Sequence, residues 1–120
     1  MSTYRLYSGS DGVSRLEPLD FTRSPEFAEP RAAKAINFNT HEVGWAVDLH
    51  PAPRRQVVFV VSGQLEIGLE DGTRQLFSPG DVFLADDTSG RGHTTRTHGD
   101  LPCILATVPL AVPGYRQDSW

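Results

Sequence analysis

The chain has 120 residues, of which 38% are hydrophobic and 22% charged, and its formal net charge is -4. This length allows one domain with one hydrophobic core and is too short for two. The acidic balance excludes the broad positive surface on which nucleic-acid binding depends. The longest apolar run, VVFVV at 57–61, is far too short for a membrane span. We therefore predict a single domain over residues 1–120 that binds neither nucleic acid nor a membrane.

The N-terminal sequence and the cysteine content indicate the compartment. The first twenty residues lack the cationic start and apolar core of a secretion signal. Cys103 is the only cysteine, so no disulfide can form within the chain. Its position in the apolar run CILATV predicts a buried hydrophobic side chain and not a nucleophile. We therefore expect a cytoplasmic protein.

In chain order, the first segment with a local preference is 24–38, where EPRAAKA at 29–35 is predicted to form about two helical turns. The later segments are short, apolar or alternating, and separated by turn residues, which is typical of strands. An Asp-Gly pair at 71–72 marks a hairpin turn, because glycine adopts the positive φ that a tight turn needs. This pattern predicts an all-β antiparallel sandwich or barrel. The predicted strands are 44–50, 56–63, 64–72, 74–81, 81–87 and 103–110.

Alternation along a strand predicts which side chains share a face. Asp48 and His50 are two residues apart in strand 44–50, so strict alternation places both on the same side. Trp45 and Val47 are then expected on the opposite side, in core or interface packing.

Strand 56–63 is apolar on both faces, which raises the question of what covers the outer one. One face is expected to line the barrel interior, and the other needs cover from a second sheet or another subunit. We therefore predict a homodimer. For the C-terminal segment that carries Tyr115 and Trp120, two alternatives are open: a mobile tail, or a segment folded over a neighbouring subunit.

Four polar or glycine positions in the middle of the chain have a recognisable spacing. Gly44, His50, Gln56 and Gly63 are separated by five, five and six residues. This spacing resembles the first motif of the cupin superfamily, in which a glycine, a His-x-His pair, a glutamate and a second glycine follow at the same intervals. In this chain Ala52 stands at the position of the second histidine, and Gln56 at that of the glutamate.

A second set of residues resembles the second cupin motif. Gly80 opens it, Asp86 stands at the motif's proline position, and His93 follows Gly90 after two residues. The loop between Asp86 and Gly90 is two residues longer than the pattern, and Thr97 replaces the motif's asparagine.

The resemblance extends over roughly residues 40–110 and implies the fold of the family, a jelly-roll (double-stranded β-helix) barrel of two antiparallel sheets. It does not imply a reaction, because this fold hosts dioxygenases, isomerases, lyases, sugar binders and storage proteins. In the family pattern, three imidazoles and one carboxylate hold a divalent ion inside the barrel. Of that set this chain keeps His50 and His93, and Gln56 offers a neutral amide oxygen.

Whether the remaining set binds a metal is open. His50, His93 and Gln56 are the candidate ligands, but the set is uncharged and needs a further anionic ligand. Asp48 is the nearest carboxylate in the sequence, and Asp86 and Asp87 are further candidates, expected at the rim of the barrel. We therefore expect a weakly bound divalent metal or none.

Charged residues near the histidines are candidates for substrate binding. Arg54 and Arg55 follow His50 in the same turn. Either arginine is a solvated turn residue or reaches the pocket and holds an anionic group of the substrate with two hydrogen bonds. Arg91 has the same two alternatives. We predict Arg55, Arg91 and Asp48 as substrate-binding residues.

Together these features predict a small-molecule enzyme of the cupin superfamily in which His50, His93 and Gln56 are the catalytic residues. Histidines suit general acid–base chemistry near neutral pH, so we expect a reaction of the isomerase, lyase or cyclase type without redox chemistry. One alternative is a metal-dependent enzyme, a dioxygenase or a metal-assisted lyase, with the same three residues as ligands. The other is a non-catalytic protein that binds a small ligand.

Overall fold

The computed structural model describes residues 1–111. Tyr115 and Trp120, and with them both alternatives for the C-terminal segment, lie outside the described residues. Within 1–111 there is no helix that could cross a membrane. The strands of this part are β1 (Thr3–Ser8), β2 (Ser14–Pro18), β3 (Asn37–His41), β4 (Ala46–His50), β5 (Gln56–Ser62), β6 (Gln64–Gly68), β7 (Arg74–Phe77), β8 (Val82–Asp86), β9 (His93–His98) and β10 (Cys103–Pro109).

The strands form two sheets, and the predicted all-β jelly-roll architecture is confirmed. The larger sheet has the order β2-β1-β8-β5-β10-β3, and the smaller has the order β4-β9-β6-β7. Strand β1 runs parallel to β8, whereas the other neighbours pair antiparallel. The two histidines of the motifs lie at the end of β4 and the start of β9, which are neighbours in the smaller sheet.

The hydrophobic core lies between the two sheets. Alternate residues of β5 and β6 supply much of it, with Val58 and Val60 from the larger sheet and Leu65 and Ile67 from the smaller, all at most 3% exposed. Burying each such side chain contributes about 1.5–3 kcal/mol relative to leaving it in water. Cys103 is also completely buried, as its apolar surroundings in the sequence predict, and burial raises the pKa of its thiol.

The outer face of β5 is only partly covered. Val57 is buried, whereas Phe59 is 40% and Val61 51% exposed. Phe21 and Phe27, from the segment between β2 and β3, pack on each other and line a groove over Val57 and Phe59. The homodimer stays a prediction, and these exposed side chains are the surface it would cover.

The segment 29–35 is not helical, so the predicted helical turns are wrong. Ala33 forms a β-bridge with Leu110, and the backbone N–H of Lys34 donates to the carbonyl oxygen of Pro109 at 2.8 Å. The segment therefore satisfies its backbone groups against the end of β10 instead of within a helix. Pro30 favours this outcome, because proline lacks the N–H that would donate within a helix.

Candidate functional site

The barrel encloses a cavity of about 320 Å³. This is the lower end of the range for ligand pockets, so the cavity suits a small molecule. Most of the polar side chains that line it come from β3 and β9, and the others include His50 from β4 and Gln56 from β5. Much of the remaining wall is apolar and is formed by Val58, Leu65, Ile67, Phe83 and Leu105.

His50 and His93 meet in this cavity. They are directly opposite each other in the β4–β9 pairing. Their ring centroids are 4.7 Å apart, and the ring planes are inclined by 50°. Gln56, at the start of β5, lines the same cavity. The structure thus brings together the three residues that the sequence predicts as catalytic, or as metal ligands.

A break in the alternation of β4 brings His50 inward. The β4–β9 register shifts between Val47 and His50, as at a β-bulge. Trp45, Val47 and His50 therefore all line the cavity, whereas strict alternation would have turned His50 away from the other two. Asp48 instead lies in a separate groove on the outside of the smaller sheet, beside Glu66 and Arg96. The expected common face of Asp48 and His50 is wrong.

Both imidazoles are fixed through Nδ1. Nδ1 of His93 lies 2.5 Å from Oδ2 of Asp87, and Nδ1 of His50 lies 2.8 Å from the backbone carbonyl oxygen of Asp48. A carboxylate and a carbonyl oxygen accept hydrogen bonds, so Nδ1 carries the hydrogen in each ring. In both histidines Nε2 is left as the acceptor nitrogen. Two such nitrogens are therefore available to one cavity.

Asp87 is completely buried, so its expected position at the rim is wrong. Phe83 and Ala85 both line the cavity from β8, and Asp87 continues this inward-facing series just beyond the strand. Asp86 points to the other side and forms ion pairs with Arg5 and Arg55. The sequence signal was therefore present in the alternation of β8, which continues past the strand end.

Asp87 is held by two side chains through a single oxygen. Its Oδ2 accepts the hydrogen bond from His93 and another from the hydroxyl group of Ser14 at 2.6 Å. Its Oδ1 is buried and has no hydrogen-bond partner among residues 1–111. A buried carboxylate needs polar partners or a compensating charge. His93 and Ser14 are the two polar partners of this carboxylate, and both use Oδ2.

Gly92 allows the approach of β9 to His50. It has a φ of +82°, and a Cβ there would overlap the carbonyl group of His50. Any other residue at position 92 would therefore be strained in its backbone and would also push β4 away. The position of His50 opposite His93 depends on this glycine.

Arg55 and Arg91, both predicted to bind substrate, are not among the residues that line the cavity. Arg55 makes a two-pronged ion pair with Glu26, including an Nη2–Oε1 contact of 2.6 Å, and a 3.0 Å contact with Asp86. This pairing holds the pKa of Glu26 below its usual value. Arg91 binds Glu70 at 2.6 Å on the exterior. The arginine that does line the cavity is Arg54.

His41 and Trp45 form a further part of the cavity wall. Their rings stack with centroids 3.8 Å apart and an interplanar angle of 21°. Burial lowers the pKa of His41, which favours its neutral form. The neutral ring therefore adds polar atoms but no fixed charge to the cavity.

The residues present do not reproduce the four-ligand metal site of the cupin pattern. His50 and His93 offer two nitrogens and Gln56 an uncharged amide oxygen, while Ala52 lies buried in the cavity wall without a ligand atom. Asp87 is bonded to the far side of the His93 ring. Within residues 1–111, no group of three or more His, Cys, Asp or Glu side chains is placed to hold an ion. The set does not fit a resident divalent metal.

No protein-family model and no curated protein matches the chain. Solved structures do match it. A cupin-like protein from Thermotoga maritima has a TM-score of 0.53 and 17% identity, over 64% of this chain and 56% of that one. An uncharacterised protein with a double-stranded β-helix domain from Klebsiella pneumoniae has a TM-score of 0.51 and 20% identity, over 68% and 75% of the two chains.

A third similar structure is a DMSP lyase from Ruegeria pomeroyi, with a TM-score of 0.53 and 17% identity over 82% of this chain and 57% of that one. The chain thus spans less than two thirds of the Thermotoga and Ruegeria proteins. At these identities the likeness shows the fold alone. The cupin fold predicted from the motif spacing is confirmed.

Proposed function

We propose that this chain, which has the cupin fold, is a small-molecule enzyme that uses His93 and His50 for acid–base chemistry of the isomerase or lyase type. The observation that supports the proposal is the fixing of both imidazoles through Nδ1. It leaves two acceptor nitrogens facing one largely apolar cavity, with the rings 4.7 Å apart. Such a pair can remove a proton from one atom of a bound substrate and return it at another.

In the proposed reaction, Nε2 of His93 takes a proton from a carbon of the substrate, and the electron pair of the broken C–H bond stays on the substrate. In a lyase reaction this pair forms a double bond as a leaving group departs from the neighbouring carbon. In an isomerase reaction the double bond shifts, and His93 returns the proton from its Nε2 to a different carbon, either directly or after passing it to the acceptor Nε2 of His50. Neither reaction requires an oxidant or a reductant.

Asp87 is proposed to act on this reaction through His93. When His93 takes up a proton, the ring becomes positive, and the buried carboxylate at 2.5 Å stabilises that charge. Asp87 also fixes which nitrogen faces the substrate, so it is a positioning residue. Gln56 is proposed to orient the substrate, because its amide group both donates and accepts hydrogen bonds.

One of the similar structures, the Ruegeria protein, is a DMSP lyase, so a lyase with a similar fold is known. That similarity supports the compatibility of the fold with elimination chemistry. It does not identify a substrate for this chain. The metal-dependent alternative would need an anionic ligand beyond His50, His93 and Gln56, and the test below includes it as an outcome.

The experiment that tests the proposal follows hydrogen exchange in D₂O. Small organic acids and their esters that carry an acidic C–H bond are incubated with the protein, and loss of the C–H signal is measured by proton NMR. We expect exchange in at least one compound, slowed about a hundred-fold or more in His93→Gln, which is the usual contribution of a general base.

His98→Gln is the matched control, because His98 lies on the same strand as His93 but does not line the cavity. It should exchange at the wild-type rate. Exchange that is insensitive to His93→Gln, or no exchange in any compound, would contradict the proposal. Exchange that is abolished by a chelator and restored by a divalent ion would replace it with the metal-dependent alternative.

A further inference from the structure

The charge of the cavity comes from one residue. Among the residues that line the cavity within 1–111, Arg54 is the sole permanently charged one, and no aspartate, glutamate or lysine accompanies it. Its neighbour Arg55 is paired with Glu26 and Asp86, whereas no ion pair of the described part of the chain involves Arg54. The cavity therefore offers one guanidinium group for which residues 1–111 supply no counterion.

The chain holds Arg54 at this position by a short, stiff connection. Arg54 lies between β4 and β5 and ends the sequence His-Pro-Ala-Pro-Arg, which begins at His50. Pro51 and Pro53 lie between His50 and Arg54, and each proline ring fixes its own φ. The two prolines therefore restrict the backbone conformations of this turn. Ala52, between the prolines, is buried and donates its backbone N–H to the carbonyl oxygen of Asp87 at 2.9 Å. The turn that carries Arg54 is thus tied to the same residue that positions His93.

A guanidinium group of this kind selects the charge of a ligand. Its planar array of donors matches a carboxylate with two parallel hydrogen bonds. One uncompensated cation balances one negative charge. A second negative charge would have to enter an apolar wall without a partner, which is costly. The volume of about 320 Å³ further limits the ligand to a small molecule.

We propose that the ligand of this cavity is a small organic monocarboxylate whose carboxylate binds Arg54 and whose apolar part enters the cavity beside His50 and His93. The inference deepens the proposed function, because it names the substrate class for the acid–base reaction. The binding itself requires Arg54 and the apolar wall, and it does not require His93 to transfer a proton.

The test compares acids with uncharged analogues of the same shape. Benzoate, trans-cinnamate and hexanoate, together with their primary amides and with 2-phenylethylammonium, are titrated up to about 10 mM into ¹⁵N-labelled protein. We expect at least one acid to shift signals of cavity residues and to bind at least about ten-fold more tightly than its amide. The ammonium compound should not bind.

Two variants locate the effect. Arg54→Gln should weaken binding of the acid about ten- to a hundred-fold and leave the amide unchanged, because only a charge-assisted hydrogen bond is lost. Arg23→Gln removes the same charge from an exposed residue that does not line the cavity and should change neither affinity. Arg54 is exposed, so both variants should keep the wild-type melting temperature.

Failure of this inference is distinguishable from failure of the proposed function. His93→Gln should keep the preference for the acid over the amide even though it stops proton exchange. Equal affinity for acid and amide, tighter binding of the ammonium compound, no binding of any acid, or an undiminished acid affinity in Arg54→Gln would each overturn the monocarboxylate proposal. None of these results depends on whether the bound compound reacts.

Discussion

Replacing Asp87 by alanine is expected to lower the free energy of unfolding by about 3 kcal/mol. The change leaves two buried donors, the Nδ1–H group of His93 and the hydroxyl group of Ser14, without their common acceptor. It also opens a void at a completely buried position. Denaturant unfolding followed by circular dichroism measures the loss.

Two control variants show whether the buried bonds cause this effect. Ser14→Ala removes one of the two hydrogen bonds and should cost about 1 kcal/mol. Asp100→Ala removes an exposed aspartate and should change stability by less than about 0.5 kcal/mol. If Asp87→Ala were as mild as Asp100→Ala, the carboxylate would not be the buried partner of His93.

Gly92→Ala is expected to be the most damaging change of a glycine to alanine near the site, with a loss of about 4 kcal/mol. Its φ of +82° costs any other residue backbone energy, and the added Cβ would overlap the carbonyl group of His50. Gly72 provides the matched control. It has a φ of +93° in the β6–β7 turn, but a Cβ there meets nothing within 4 Å.

The comparison of the two variants separates the backbone cost of a positive φ from the cost of overlap between the new Cβ and the His50 carbonyl group. Gly72→Ala should cost only the backbone term, about 1–2 kcal/mol, and should leave the amide signal of His50 in place. Gly92→Ala should cost about 4 kcal/mol, at least twice as much, and should shift that signal, because β4 must move. Equal losses in the two variants would mean that β9 does not approach His50 closely.

The barrel could be predicted from the sequence because its turns and motif positions are local. Gly63 illustrates this: it joins β5 to β6 with a φ of +72°, and a Cβ there would overlap the carbonyl group of Pro102. A glycine is therefore required at the interval where the cupin motif has one. The same spacing places His50 and His93 opposite each other, although they are far apart in the sequence.

Four strands, β1, β2, β3 and β9, were not predicted from the sequence. Strands β1, β2 and β3 precede the motifs, and β1 joins the sheet by pairing in parallel with β8, a partner about eighty residues away. Strand β9, with the sequence HTTRTH, is polar throughout. Yet Thr95 and Thr97 are buried in alternation with exposed Arg96. The β-branched shape of threonine is the local signal that could have indicated a strand.

Two details of the site depend on tertiary structure and could not be predicted from alternation. The register shift in β4 turns His50 into the cavity and leaves Asp48 on the outer face, whereas a regular strand would have both on one side. Which of the adjacent arginines lines the cavity depends on Glu26, a residue far away in the sequence that forms an ion pair with Arg55. Arg54 has no such partner among residues 1–111, and it lines the cavity.

Asp87 and the Asp48 carbonyl group fix both histidines with the hydrogen on Nδ1 and leave Nε2 as an acceptor for the cavity. Long-range ¹H–¹⁵N NMR of the imidazole rings at about pH 8, where histidine is ordinarily neutral, tests this claim directly. We expect a protonated Nδ1 and an unprotonated Nε2 in both His50 and His93. In Asp87→Ala, His93 should become a mixture of tautomers while His50 stays unchanged. A hydrogen on Nε2 of His93 in the wild-type protein would contradict the account.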